Sequence, residues 1–219
     1  MGLSLDVGLY NAYVWRGLQF NEEGVVQTSL DYSYGTEDLG SFGLKIWGNI
    51  DLDNEGDDSG EFSEVDYTAY WVKSFDTLIL GGGVIVYDFP SKKHVSSTKE
   101  VYLSVGIDMV LAPTVTAYYD FDSVEGFYLD FGVSQSIGFL DLAANIGWAD
   151  DNMTDSYYDE DAESGFTNYS LSASIDFELC DSVTLTPSLA YYGLLEDAQE
   201  DLHLEDDEFI LGLNLNITF

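Results

Sequence analysis

Two basic residues and four possible partners stand at positions that could line a water-filled channel. We expect Arg16 and Lys45 to form one side of a constriction, with Asp31, Asp66, Glu100 and Tyr102 on the other side. Rings of charged side chains select ions by their majority sign, and carboxylates are in the majority here. These residues therefore predict a lumen that prefers cations, in which the two bases reduce repulsion among the acids.

Three long acidic stretches suggest a second kind of chemistry, the binding of hard metal ions. Residues 53–61, 150–163 and 196–208 together hold about half of the 41 Asp and Glu residues. Carboxylate oxygens are the ligands that Ca²⁺ and Mg²⁺ prefer, although no stretch has the spacing of an EF-hand. The candidate ligands are Asp57, Asp58, Asp159, Asp161, Asp206 and Asp207. A solvated acidic surface is the competing interpretation, and no other cofactor is expected.

Catalytic chemistry has little support in the sequence. Both histidines, His94 and His203, fall in connections between predicted strands, and neither stands at a strand position facing a serine. The Ser–His pair that twelve-stranded membrane phospholipases carry on the outer barrel wall cannot be built from them. The one cysteine, Cys180, excludes an internal disulfide framework. We therefore expect no enzymatic activity.

The composition limits the partners that these side chains can have. The chain has 219 residues with 41 Asp and Glu against 6 Lys and Arg, which gives a formal charge of −35. Nucleic acid is excluded as a natural partner, because its phosphates are held by clustered basic residues. Hydrophobic residues make up 46% and aromatic residues 15% of the chain, so it is too apolar to be a disordered acidic segment.

The elements that must position these residues are strands, because apolar and polar residues alternate along the chain. Residues 209–219 alternate except at Ile210, and residues 99–109 follow the same pattern. The pattern predicts twelve strands, at 3–20, 25–35, 41–52, 63–74, 77–88, 99–109, 114–122, 126–136, 140–150, 166–178, 183–194 and 208–219. Most are about 9 to 14 residues long, close to the roughly 9 to 11 that a tilted strand needs to cross a bilayer.

The connections between the predicted strands alternate between short turns and mostly longer, acidic loops. This asymmetry is typical of outer-membrane barrels, which have tight periplasmic turns and extended external loops. The sequence thus predicts one domain, residues 1–219, that forms a single twelve-stranded antiparallel transmembrane β-barrel. Lipid and lipopolysaccharide are the expected surroundings, in the bacterial outer membrane. Because no basic and apolar leader opens the chain, we interpret it as a mature form after signal peptide removal.

Several short motifs in the first half of the chain resemble a known porin family. The first predicted strand contains Tyr13-Val14-Trp15-Arg16-Gly17, and residues 87–90 read Tyr-Asp-Phe-Pro. Together they resemble the small porins of the TorF-like family, which open with an aromatic-x-Arg-Gly strand and carry a Tyr-x-aromatic-Pro motif. The resemblance implies an outer-membrane diffusion channel without an assigned enzymatic activity.

Three interpretations of function remain open from the sequence. The favoured one is a porin-like channel for passive diffusion of small cationic or neutral solutes. The second is a closed barrel, filled by inward tyrosines, whose acidic loops bind a partner, divalent cations or further copies of the chain. The third is a soluble β-sandwich that binds calcium and sugar, with its apolar face buried instead of facing lipid.

Overall fold

The alternation of apolar and polar residues builds strands whose two faces meet different surroundings. The computed structural model describes residues 1–52, 60–92, 95–158, 163–195 and 207–219. The described strands, in chain order, are β1 (Gly2–Tyr10), β2 (Tyr13–Trp15), β3 (Leu18–Asn21), β4 (Val25–Thr36), β5 (Gly40–Asp51), β6 (Phe62–Phe75), β7 (Leu78–Asp88), β8 (Thr98–Ile107), β9 (Thr114–Asp120), β10 (Phe127–Ile137), β11 (Leu140–Ala149), β12 (Gly165–Ser174), β13 (Phe177–Cys180), β14 (Val183–Leu194) and β15 (Asp207–Thr218).

Twelve of the described strands close into an antiparallel barrel. From β4 to β12 each strand pairs with the next along the chain, β1 joins β4 to β15, and β14 closes the ring by pairing with both β15 and β12. Strands β2, β3 and β13 are the described strands outside this ring. The predicted twelve-stranded antiparallel barrel is thus confirmed.

The outer face of the barrel is apolar, and the inner face is polar. Leu44, Leu103 and Leu211 point outward and are each more than 60% exposed. Their chain neighbours Lys45, Ser104 and Gly212 point to the interior, as period two requires. A continuous exposed apolar surface of this kind fits hydrocarbon and would be unfavourable in water.

The connections lie in two sets, one at each end of the barrel. The shorter set comprises residues 37–39, 76–77, 108–113, 138–139 and 175–182, which we call the turn end. The other set, which we call the loop end, has the described residues 11–24, 52, 60–61, 89–92, 95–97, 121–126, 150–158, 163–164 and 195. Counted along the sequence, most of these connections are longer than those of the turn end.

The first predicted strand, residues 3–20, is wrong as a single element. Strand β1 ends at Tyr10, where the Asn11 side chain donates to the Phe209 carbonyl and accepts from the Leu211 amide. The chain then forms a separate hairpin, β2–β3, that pairs with no barrel strand. Its turn residues Arg16 and Gly17 have φ of +49° and +82°, the positive values that a tight two-residue hairpin turn requires.

The tenth predicted strand, residues 166–178, is also interrupted. Strand β12 ends at Ser174, and the short β13 that follows pairs only with β14. Pro187 of β14 has no amide hydrogen to donate at this point of the ladder, although its carbonyl still accepts from the Ile175 amide. The bend is held by the Thr186 hydroxyl, which donates to Asp176 at 2.6 Å.

The helix α1 (Asp151–Tyr157) and the β2–β3 hairpin create a small core inside the loop end. Asp150 caps the helix by accepting from the Met153 amide at 3.0 Å. The core cluster consists of Leu18, Tyr128, Ala149, Met153, Tyr158 and Leu194. No helix among the described residues is long and apolar enough to cross a membrane.

A charge on the outer face should destabilise the barrel far more than the same charge inside it. We expect Leu103→Arg to lower the free energy of unfolding in lipid vesicles by about 2 to 4 kcal/mol, the usual cost of Arg at the bilayer midplane. Ser104→Arg, one residue further in β8, is the matched control because its side chain enters an acidic interior. Equal losses, measured by denaturant titration, would contradict the assigned orientation.

Candidate functional site

The β2–β3 hairpin crosses the lumen at the loop end and contacts walls on several sides. The Tyr13 hydroxyl donates to Glu64 Oε2 of β6 at 2.9 Å. At the turn, a Cβ added to Gly17 would lie 2.5 Å from Asn168 Cβ of β12, so the hairpin backbone is pressed against that wall. The Tyr158 hydroxyl, just beyond α1, donates to the Arg16 carbonyl at 2.8 Å. The hairpin is therefore held inside the barrel and narrows its passage.

The side chain of Arg16 extends from the hairpin turn to Glu100 of β8. Two parallel hydrogen bonds join them, from Nη1 to Oε1 at 2.9 Å and from Nη2 to Oε2 at 2.8 Å. Both side chains are almost fully buried, with 7% and 2% of their surface exposed. The Tyr87 hydroxyl donates to Glu100 Oε2 at 2.8 Å, which further satisfies the carboxylate. A planar guanidinium matches a carboxylate in this way, and an ammonium group cannot.

Three aromatic rings surround the same guanidinium. Arg16 Cζ lies 4.2 Å from the Tyr128 ring centroid, 4.3 Å from that of Trp15 and 4.8 Å from that of Tyr118. These distances fall within the roughly 6 Å over which a cation is attracted to a ring face. Met153 Sδ lies 3.8 Å from Arg16 Nη1. We call Glu100, Tyr87, Tyr118 and Tyr128 the cage, because these four wall residues enclose the cation from neighbouring strands.

The electrostatics of this region keep Arg16 charged. Burial alone lowers the pKa of the Arg16 guanidinium, but the nearby Glu100 carboxylate and the Tyr87 hydroxyl raise it, and the net shift is upward. Burial raises the pKa of Tyr158 to about 12, so its hydroxyl remains a donor to the Arg16 carbonyl. The positive charge is thus permanent, and the carboxylate beside it is compensated.

Asp120, the last residue of β9, anchors the connection that follows this strand. Its buried carboxylate accepts from the Thr98 hydroxyl at 2.5 Å and from the amides of Asp122, Ser123 and Val124. These bonds fix residues 121–126 against β8. Val124 in turn packs against the core cluster at the loop end. The cage is therefore built on strands whose ends are held in place.

The remaining predicted lumen residues lie on the wall formed by β4, β5 and β6. Asp31 and Lys45 stand directly opposite each other in the register of β4 and β5. We predicted that Lys45 would lie across the lumen from Asp31 and Asp66. This prediction is wrong, because the three residues belong to adjacent strands of one wall. Asp31 accepts from the Tyr70 hydroxyl at 2.8 Å. Asp66 Oδ1 is buried and has no hydrogen-bond partner among the described residues.

Tyr102 of β8 belongs to a row of inward tyrosines that continues across β9 and β10. It stands in register with Tyr118, which stands in register with Tyr128, and the neighbouring ring centroids are 5.7 Å and 6.2 Å apart. Glycine makes room for these rings. A Cβ on Gly147 would lie 2.1 Å from the Tyr128 hydroxyl oxygen, so no larger residue fits beneath that ring. The rings of this row project from the wall into the lumen and narrow it.

Two cavities lie near the Arg16–Glu100 pair. The outer cavity, of about 480 Å³, is lined by Trp15, Phe20, Glu64, Tyr87, Lys92 and Tyr157, among others. The inner cavity, of about 310 Å³, is lined by Trp15, Arg16, Tyr87, Tyr128, Asp130 and Asn145, among others. Trp15 and Tyr87 line both cavities, and Arg16 lines the inner one. A small molecule could enter either space.

Most of the predicted metal ligands cannot be compared with the structure. Asp57, Asp58, Asp159, Asp161 and Asp206 lie outside the described residues, as do His94 and His203. Asp207 is described, is exposed, and accepts from the Tyr169 hydroxyl at 3.2 Å. The described ranges contain no group of three or more His, Cys, Asp or Glu side chains that could hold a metal ion. The metal site stays a prediction.

Sequence reasoning missed the residues that complete the site around Arg16. Trp15 and Tyr13 were not expected inside the lumen, and neither Met153 nor Tyr158 was recognised as a contact. The signal for the hairpin was present, because the first predicted segment was longer than any other and contained an Arg-Gly pair. Residues 150–154, Asp-Asp-Asn-Met-Thr, also carry an N-cap acid that could have indicated the helix.

Comparison with known proteins gives a fold and no family. No protein-family description matches the chain, and no curated sequence matches it. Among solved structures, the NanC porin is similar with a TM-score of 0.57 and 12% identity, covering 98% of each chain. The KdgM porin in complex with disordered oligogalacturonate is similar with a TM-score of 0.53 and 8% identity, covering 100% of this chain and 99% of that chain.

An enzyme shares the same fold. Outer membrane phospholipase A from Escherichia coli is similar with a TM-score of 0.53 and 13% identity, covering 99% of this chain and 89% of that chain. At such identities the comparisons establish a shared architecture, that of outer-membrane β-barrels. The TorF-like resemblance and the absence of enzymatic activity stay predictions.

The Arg16–Glu100 pair should show strong energetic coupling. We expect Arg16→Met and Glu100→Gln each to lower the free energy of unfolding by about 3 to 5 kcal/mol, because each leaves one buried group without its partner. The double variant should lose much less than the sum. The exposed pair of Lys99 and Asp122, 2.6 Å apart, is the control and should couple by less than about 1 kcal/mol. Additive losses at Arg16 and Glu100 would contradict a strong pair.

Proposed function

We propose that this barrel is a passive channel of the bacterial outer membrane for small cationic or neutral solutes. The observation that carries the proposal is the contrast between its two faces. The outer face is a continuous apolar surface, and the inner face carries charged and polar side chains around cavities. A barrel with this contrast offers lipid a hydrophobic wall and offers water a path. The porin neighbours share this architecture, and this supports the assignment.

The cation preference follows from the balance of charge on the inner wall. Asp31, Glu64, Asp66 and Asp130 line this wall together with Glu100, and among the described residues Arg16, Lys45 and Lys92 are the bases that face them. Since Glu100 neutralises Arg16, the four remaining carboxylates exceed the two further bases. An excess of one sign in a confined space raises the local concentration of the opposite ion.

The size of the solute is limited by the hairpin. The β2–β3 hairpin and the tyrosine row leave cavities of a few hundred cubic ångströms near Arg16, with volumes of about 480 and 310 Å³. Such spaces hold small organic molecules. The mechanism that we propose is diffusion through this narrowed lumen without any chemical step.

The orientation in the membrane follows the usual asymmetry of outer-membrane barrels. We place the turn end and both chain ends in the periplasm and the loop end outside, where its acids would meet lipopolysaccharide. The chain is then a mature form from which a signal peptide has been removed. A TorF-like relationship, a homo-oligomer and Ca²⁺ or Mg²⁺ at the acidic loops are compatible with this arrangement and stay predictions.

The proposal predicts discrete, cation-selective conductance. Refolded protein in a planar bilayer under a salt gradient should give single-channel steps with a reversal potential on the cation side. Asp31→Asn combined with Asp66→Asn should reduce the cation-to-anion permeability ratio by about twofold or more, since both carboxylates face the lumen. The control, Glu37→Gln with Asp38→Asn, removes the same charge from an exposed turn and should leave the ratio nearly unchanged. A chloride-biased potential would overturn the preference.

Shortening the hairpin should widen the channel. We expect replacement of residues 13–21 by a short Gly-Ser linker to raise single-channel conductance severalfold, because the chain that crosses the lumen is then absent. Heat-modifiable migration in gel electrophoresis establishes that the variant still forms a barrel. Folded protein that conducts neither with nor without the hairpin would favour the closed structural barrel.

A further inference from the structure

The Arg16 guanidinium occupies a site whose construction is that of a receptor for an organic cation. The cage supplies a bidentate carboxylate, Glu100, and two ring faces within 5 Å of the cation, those of Tyr118 and Tyr128. Tyr87 completes it by donating to the carboxylate. All four residues belong to the adjacent barrel strands β7 to β10. The cage is thus part of the fixed wall, whereas Arg16 is brought to it by the hairpin.

We propose that the cage is an exchange site for solutes that carry a guanidinium or amidinium group, with Arg16 as its resident occupant. A solute of this class takes the place of the Arg16 side chain, pairs with Glu100, and passes between the outer and inner cavities. The inference deepens the proposed channel function and rests on it for the passage, whereas the binding itself stands without it.

The cost of emptying the cage explains why the occupant must be exchanged. Glu100 is 2% exposed, and without Arg16 its described partner would be the Tyr87 hydroxyl alone. A buried carboxylate left without its counter-ion is strongly unfavourable, so Arg16 leaves at low cost only when another cation arrives. A planar guanidinium restores both hydrogen bonds, but a potassium ion or an alkylammonium cannot reproduce that fork. The site thereby discriminates among cations.

The structure also provides a place for the displaced side chain. The inner cavity borders Arg16 and contains Asp130 on its wall. Asn145 donates to Asp130 Oδ2 at 2.8 Å, and Asp130 and Arg16 line the same cavity. A swing of the Arg16 side chain towards Asp130 keeps its charge compensated while the hairpin backbone stays in place. The exchange therefore needs a rotamer change and no unfolding of the hairpin.

Chemical rescue of Arg16→Ala tests the binding site without reference to conduction. Millimolar guanidinium chloride should raise the Tm of this variant in detergent by about 5 to 10 °C at a concentration near 100 times the dissociation constant. Urea, a neutral molecule of the same planar shape, should give no rise. Arg16→Ala combined with Glu100→Gln should not respond to guanidinium, and neither should Lys45→Ala, which removes a different lumen base and leaves the cage intact.

Two results would overturn the proposed site. One is the absence of a guanidinium-specific rise in Arg16→Ala, and the other is an equal rise when Glu100 is replaced. If Arg16→Ala does not fold alone, the yield of heat-modifiable barrel becomes the readout. Refolding that guanidinium restores and urea does not supports the cage, whereas failure with both contradicts it.

Conductance measurements distinguish failure of the proposed exchange site from failure of the proposed channel function. Methylguanidinium should cause brief, concentration-dependent interruptions of current through the wild-type protein, and trimethylammonium at equal concentration should cause at least tenfold fewer. Steady conduction that methylguanidinium never interrupts would retain the channel and reject exchange at the cage. Thermal rescue in a barrel that never conducts would retain the binding site and reject the channel.

Discussion

The whole architecture depends on one constraint, that backbone hydrogen bonds in a membrane must be satisfied within the protein. Lipid offers no donors or acceptors, so the strands close into a ring in which β1 pairs with both β4 and β15. In a closed barrel, the side chain of each strand residue points either outward to lipid or inward to the lumen. The alternation of apolar and polar residues is the direct consequence, and it decides where every charge of the wall can lie.

The second consequence concerns the interior, which must accommodate many acids in a small volume. Carboxylates in such a space repel one another and lose hydration, so each needs donors or a counter-ion. The chain supplies these locally: Tyr70 for Asp31, Asn145 for Asp130, and Arg16 for Glu100. The Arg16 pair differs from the others, because its base comes from a segment outside the barrel ring. That pairing ties the hairpin to the wall across the lumen.

The strands were predictable because period two is a local property, visible in residues 209–219 without knowledge of their neighbours. The orientation of Glu100 and Lys45 followed from the same pattern. The hairpin was not predictable from alternation, because residues 18–21 also alternate although they leave the wall. What distinguishes them is a pair of positive φ angles at Arg16 and Gly17. Their backbone conformation is fixed by contacts from β12 and β14, which are distant in sequence.

The sequence pattern also could not predict which inward residues lie side by side and which lie across the lumen from each other. Lys45 and Asp31 occupy equivalent places in the pattern to Arg16 and Glu100, yet the first pair are neighbours in one wall and the second pair bridge the lumen. Strand registers decide the first case, and the path of the hairpin decides the second. The alternating pattern predicts whether a side chain points to lipid or to the lumen. The distance between two inward side chains depends on the strand order and register of the closed barrel.

The arginine at the hairpin turn contributes both to the fold and to the proposed function. A lysine could neutralise Glu100, but its ammonium would use one point of contact and would be held less firmly against the rings. The planar group fills the carboxylate fork and lies against Trp15, Tyr118 and Tyr128 at once. The interactions that hold the hairpin across the lumen are for that reason specific to one chemical group. A solute that carries the same group has the same interactions available to it, so the geometry that narrows the passage also defines the cation that the proposed site would bind.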